Sequence, residues 1–170
     1  PATLGEVVGQ DHLLAPPTAG FEGAPLGRMV AQGRPHSIVL WGPPGTGKTT
    51  IARLLAGAFQ LRFDQLSVVF SGVADLKKAF DAARERRRVG QGTLLFVDEI
   101  HRFNRSQQDS FLPVVEDGTV VLVGATTENP SFELNGALLS RAQVLVLHRL
   151  DDAALELLLQ RAESYYQRAL

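Results

Sequence analysis

The chain has 170 residues, 45% of them hydrophobic, a formal net charge of −1 and no cysteine. That length, with a mean hydropathy of +0.02, suits one packed domain and excludes a disordered chain, while the near-zero charge means that any binding to nucleic acid or anionic membrane must come from a local patch. The lack of cysteine excludes a disulfide framework and a thiolate metal site and fits a reducing compartment. No apolar run approaches the roughly 20 residues of a membrane span and no signal peptide is read, so the expectation is a soluble, cytoplasmic protein with no membrane partner. Because the sequence opens at Pro1 and stops inside a helical pattern, it reads as a piece of a longer protein.

In chain order, APPTAGFEGAP, Ala15 to Pro25, reads as a surface loop. SIVLW, Ser37 to Trp41, is a continuous apolar run bounded by GPPG and predicts a buried strand. KTTIARLLAGAF follows with Ile51, Leu54, Leu55 and Ala58 on one helical face. FDQLSVVF reads as a second strand, and VADLKKAFDAARERRR, Val73 to Arg88, as a helix with Leu76, Ala79, Phe80 and Ala83 at helical spacing. TLLFV, Thr93 to Val97, is another strand. SQQDSFLPVVED predicts a helix with Ser106 as N-cap, kinked or ended by Pro113. VVLVGA, Val120 to Ala125, and QVLVLH, Gln143 to His148, are further strands, and a helix capped by Asp151 closes the chain. Apolar strands without polar alternation, separated by helices, predict a three-layer α/β domain with a parallel sheet covered on both faces.

GPPGTGKT, Gly42 to Thr49, satisfies G-x-x-x-x-G-K-[ST] after a strand and before a helix, the context in which that motif cradles nucleotide phosphates. The glycines let backbone N–H groups turn around a phosphate, and the helix N-terminus adds partial positive charge. Lys48 reaches the β- and γ-phosphates of ATP and the Thr49 hydroxyl ligates Mg²⁺. TLLFVDE is an apolar strand ending in an acidic pair, which a parallel sheet would bring beside the phosphate loop. Asp98 then holds Mg²⁺ through its water shell, and Glu99 orients a water for attack on the γ-phosphate. Two adjacent acids favour hydrolysis over phosphoryl transfer to a small acceptor. Of the basic groups, Arg102 and Arg105, beside Asn104, Gln107 and Gln108, could contact DNA phosphates. Arg84, Arg86, Arg87 and Arg88 lie at a helix C-terminus, where cations are favoured anyway. His101 reads as a packing or capping residue, and the four histidines show no metal-ligand spacing.

The stretches GPPGTGKTT (Gly42 to Thr50), LLFVDEIHRFNRSQQDSFLPVVEDGT and VGATTENPSFELNGALLSRA resemble the AAA+ ATPases of the group formed by replication-associated recombination protein A and Werner-helicase-interacting protein. The resemblance runs from EVVGQDHLL to about Leu150. It implies a P-loop nucleotide-binding core over residues 1–150 and the start of a helical lid over 151–170. It also implies an oligomeric, DNA-dependent ATPase acting at stalled replication forks on forked or single-stranded DNA, in a bacterial nucleoid, with single-strand-binding protein among possible partners. By the same resemblance Val7, Val8 and Gly9 would line the adenine pocket, Thr127 would sense the γ-phosphate with Asn129 nearby, and Arg141 would be an arginine finger reaching a neighbouring subunit's nucleotide. The lid arginine and the oligomerisation region would lie beyond the chain. The alternative reading is a nucleotide-gated binding module in which hydrolysis is incidental, such as a clamp-loader-like subunit.

Overall fold

The computed structural model describes residues 25–67 and 72–147. Expectations for Val7 to Gly9, most of the Ala15–Pro25 loop, the end of FDQLSVVF, His148 and the closing helix lie outside them. The elements in order are α1 (Pro25–Gln32), β1 (Ile38–Trp41), α2 (Lys48–Ala58), β2 (Arg62–Ser67), α3 (Val73–Arg88), β3 (Thr93–Asp98), a 3-10 turn (Ile100–Arg102), α4 (Arg105–Ser110), α5 (Leu112–Glu116), β4 (Val120–Thr126), α6 (Pro130–Glu133), α7 (Gly136–Ser140) and β5 (Gln143–Val146).

The five strands form one sheet in the order β2-β3-β4-β1-β5, with every pairing parallel. Alternate residues of each strand point to opposite faces, which sorts the apolar runs into two cores. On one face Ile38, Leu40, Leu94, Phe96, Val123 and Ala125 pack with Leu26 and Met29 of α1 and Ile51, Ala52 and Leu55 of α2. On the other, Val39, Leu95, Val97, Val120 and Leu122 meet Phe80 and Ala83 of α3, Phe111 and Val114 around α5, and Leu138 of α7. Both faces being covered is what lets these strands be apolar throughout, and the three-layer α/β architecture expected from the sequence is the one observed.

Three local expectations are corrected. Ser106 is not the cap of the helix after the acidic pair: Asn104 is, its side chain accepting from the Gln107 N–H at 2.8 Å while the Gln107 side chain accepts from the Asn104 N–H at 2.9 Å, a reciprocal box that moves the helix start forward. The single helix expected over Ser106 to Asp117 is two short ones, with Pro113 in the first turn of α5, where its missing N–H costs no helical hydrogen bond. Pro25, read as the end of a loop, opens α1 for the same reason. The helices α1, α6 and α7 were not anticipated, being only 8, 4 and 5 residues long.

Candidate active site

Because all strands run the same way, the residues that end β1, β3 and β4 emerge at one edge of the sheet. There a cavity of about 490 Å³ is lined by Pro44, Gly45, Thr46, Gly47, Lys48, Thr49, Thr50, Asp98, Glu99, Thr126 and Thr127. Segments some 50 and 80 residues apart in the chain thus meet through the pairings of β3 with β4 and of β4 with β1.

The loop between β1 and α2 is shaped by left-handed backbone at Gly45 (φ 78°) and Gly47 (φ 93°), a conformation glycine adopts without a Cβ penalty. It is tied down from within: the buried Thr46 donates its hydroxyl to the Pro43 carbonyl at 2.9 Å. Lys48 Nζ donates to the same oxygen, also at 2.9 Å. Burial lowers the Lys48 pKa, and the negative charge of Asp98 opposes that shift, so the ammonium is less well hydrated than on an open surface while an anionic neighbour favours its charge. Gly42 and Pro43 do not line the cavity. Gly42 is instead a packing position: a Cβ there would lie 2.8 Å from the Leu147 carbonyl oxygen and 2.9 Å from Leu147 Cβ. The Leu147 N–H in turn donates to the Trp41 carbonyl at 2.7 Å.

Asp98 is the last residue of β3, and its Oδ1 accepts from the Glu99 N–H at 3.0 Å. Glu99 has φ 52°, left-handed backbone in a residue with a Cβ, a conformation that costs on the order of 1 kcal/mol or more. The 3-10 turn that follows carries Ile100 into the core, and the Glu99 carboxylate pairs with Arg102 Nε at 3.0 Å. Both partners are partly solvated, so the pair contributes about 1 kcal/mol or less.

Thr126 and Thr127 close the cavity from β4. Thr127 is exposed, whereas Thr126 is buried and within 2.8 Å of His101 Nδ1. Asn129 is not brought to the cavity; its side chain accepts from the Ser131 N–H at 3.0 Å and caps α6.

Arg141 follows α7 and precedes β5, at the opposite edge of the sheet from the phosphate loop. It pairs with Glu116 and donates to the Ala137 carbonyl at 3.1 Å. Since Gln143 stands opposite Ile38 at the start of β1, the four-residue strand between that level and Trp41 sets Arg141 back by about 13 Å. The α3 arginines are engaged within the fold. Arg84 pairs with Asp81 and Arg88 with Glu85; Arg86 reaches Asp64 and Thr93; Arg87 reaches Asp117 and Thr119. Of the two arginines considered for DNA, Arg102 is paired with Glu99 and Arg105 is exposed at the start of α4.

A divalent cation fits this donor set. Thr49 and Asp98 bring hard oxygen atoms to one cavity, and the described residues contain no cluster of three or more His, Cys, Asp or Glu that would hold a metal by itself. Two protein oxygens would suit an ion that keeps much of its water and leans on substrate phosphates, as Mg²⁺ does.

The family model for the ATPase family associated with various cellular activities (AAA) matches residues 38–150. Replication-associated recombination protein A of Haemophilus influenzae is 49% identical over 170 residues, all of this chain and 37% of that protein. Its Escherichia coli counterpart is 51% identical over 162 residues, 95% of this chain and 35% of that protein, and ATPase WRNIP1 of Dictyostelium discoideum is 46% identical over 95% of this chain and 18% of its own length. The chain therefore spans about a third of the bacterial relatives it matches. Among solved structures, the Thermotoga maritima RuvB Holliday junction branch migration motor aligns over 98% of this chain and 54% of its own, with a TM-score of 0.74 and 28% identity.

Proposed function

The chain belongs to the AAA family of ATPases, and from that premise we propose that it binds ATP with Mg²⁺ and hydrolyses it, as the nucleotide-binding core of an oligomeric protein that acts on DNA in replication-linked recombination. The observation that carries the reading is the convergence of Lys48, Thr49, Asp98, Glu99 and Thr127 on one cavity. Lys48 and the N–H groups at the start of α2 take the phosphate charge, while Thr49, and Asp98 through a water shell, would hold Mg²⁺, which would supply charge neutralisation to the phosphates. The Glu99 carboxylate holds and polarises the attacking water, and Thr127 donates to the γ-phosphate from the β4 side. Arg141 is set back from its own cavity, which supports a role toward a neighbouring subunit. DNA, as forked or single-stranded substrate, would be met at Arg102 and Arg105. The DNA role draws on the names of the relatives, replication-associated recombination and branch migration; on this reading the intact protein would work in a bacterial cytoplasm, on the nucleoid, with single-strand-binding protein a candidate partner.

The test uses two variants of the intact protein. Lys48→Ala removes charge that binds phosphate and should weaken ATP affinity, whereas Glu99→Gln removes only the water-orienting group and should retain binding while losing turnover. Equal affinity in Lys48→Ala and wild type, or undiminished turnover in Glu99→Gln, overturns the assignment. A wild type that binds ATP and DNA but turns over nothing would favour the nucleotide-gated module.

A further inference from the structure

The strained backbone at Glu99 is held by neighbours outside the phosphate chemistry. The 3-10 turn after it is seated on β4 at two consecutive residues. Ile100 packs over Gly124 so closely that a Cβ there would lie 3.0 Å from Ile100 Cδ1 and 3.2 Å from Cγ2, so that a side chain at that position would make Ile100 give by a few tenths of an ångström. One residue on, His101 Nδ1 lies 2.8 Å from the hydroxyl of the buried Thr126. That hydroxyl also accepts from the Glu128 N–H at 3.0 Å and lies 3.2 Å from the Glu128 carbonyl. The arrangement that uses every group has His101 Nδ1–H donating to Thr126 and the Thr126 proton directed to Glu128. The hydrogen bond thus ties the turn that carries Glu99 to the segment that carries Thr127, and both residues line the cavity.

We propose that His101 is a positioning residue that sets the Glu99 carboxylate relative to Thr127 by latching the ends of β3 and β4 through Thr126. This rests on the reading of Glu99 as the water-orienting group. His101 does not line the cavity, and its link runs to a strand-end hydroxyl. Its loss should therefore move the two groups relative to one another and leave the phosphate cradle of Gly45, Gly47 and Lys48 in place. Misplacing a reacting group by about 1 Å costs up to the order of 10²-fold in rate; most of the ground-state phosphate binding is made at Lys48 and the N–H groups opening α2, which the latch does not touch.

The experiment compares His101→Ala, His101→Asn, Thr126→Val and the His101→Ala/Thr126→Val double variant in the intact protein. It reads kcat, KM for ATP, affinity for a fluorescent ATP analogue, and amide hydrogen exchange without nucleotide. Expected for His101→Ala is a kcat lowered about 10- to 100-fold with analogue affinity within about twofold of wild type. His101→Asn, which offers an amide near the Nδ1 position, should recover much of that loss. The double variant should be no worse than the more impaired single variant, because both remove one link. Exchange should rise together at residues 100–103 and at Glu128. A His101→Ala enzyme with wild-type kcat overturns the latch while Glu99→Gln remains inactive and the hydrolytic reading stands. Additive losses in the double variant also overturn it. If wild type has no turnover, the hydrolytic reading fails by itself and the exchange arm decides the latch: no coupled rise in His101→Ala refutes it.

Discussion

Replacing Gly42 by Ala should destabilise the domain through contact with β5 rather than through any change in phosphate recognition. The added Cβ would stand 2.8 Å from a carbonyl oxygen and 2.9 Å from the Cβ of Leu147, about half an ångström inside ordinary contact at both. Neither neighbour is the end of a flexible side chain, so relief requires the exit of β5 to move away from β1, straining the 2.7 Å bond from the Leu147 N–H to the Trp41 carbonyl. Overpacking of this kind costs about 3 kcal/mol at the upper part of its usual range, and the reduced freedom of the unfolded chain offsets up to about 1 kcal/mol. A net loss of about 2 kcal/mol should lower Tm by roughly 4–8 °C in a domain of this size. Thermal denaturation followed by circular dichroism reads it directly. Gly57→Ala in α2, where nothing lies within 4 Å of the new methyl, is the matched control and should leave Tm unchanged or raise it. A Gly42→Ala protein as stable as wild type would refute the contact argument and return Gly42 to the phosphate loop alone.

If Arg141 acts on a neighbour's nucleotide, Arg141→Ala and Glu99→Gln should each be inactive yet partly restore turnover when mixed; mixed oligomers with no recovered activity would count against a trans finger. Its contribution should be on the order of 10³- to 10⁵-fold in rate. The Asp117 carboxyl is held below its ordinary 3.8 by the Thr119 hydroxyl, with smaller help from the Thr119 N–H, Arg87 and Arg84 against a desolvation cost. Its folded pKa being depressed, it contributes stability above pH 3.8 that is lost as pH falls through the lower folded value. Asp117→Asn should therefore lower Tm at pH 7 by a small amount and lose that difference as pH falls through the lowered folded value, and a difference independent of pH would contradict the linkage. Changing Arg102 and Arg105 together to Ala in the intact protein should weaken DNA binding about equally across sequences and make the salt dependence shallower by up to about two units of slope; an unchanged slope would remove them from the DNA interface.

Most of the architecture was legible because it follows from burial on both faces of a parallel sheet. Runs such as LLFV and VVLVGA carry no polar side chain, and a strand covered above and below uses such a pattern. Short helices were not legible for the opposite reason. With 4 residues in α6 and 5 in α7, neither completes two turns, so periodicity has too little length to declare itself. The helix after the acidic pair was misplaced because both Asn104 and Ser106 are competent caps, and what decides between them is the reciprocal bond to Gln107, available to Asn104 three residues upstream.

In the candidate site the same division recurs. Lys48, Thr49, Asp98 and Glu99 are read from sequence through local chemistry, a loop between strand and helix and a strand that ends in acid, and the structure brings all four to one cavity. Asn129, which the resemblance sets near the γ-phosphate, does not line the cavity and caps α6. Gly42 and Gly124 carry no signal of their purpose at all, because what each excludes is a methyl group, and the atom it would strike, in Leu147 or Ile100, belongs to a different strand end or turn. His101, read from the sequence as a packing or capping residue, has its ring directed at β4, where it meets a hydroxyl 25 residues away. What the sequence does not show is which hydroxyl, because the chain turns at once into 3-10 geometry and each successive residue faces about a third of a turn further round. Glu99 faces the cavity, Ile100 the core and His101 the neighbouring strand, so three adjacent positions are turned to three different surroundings.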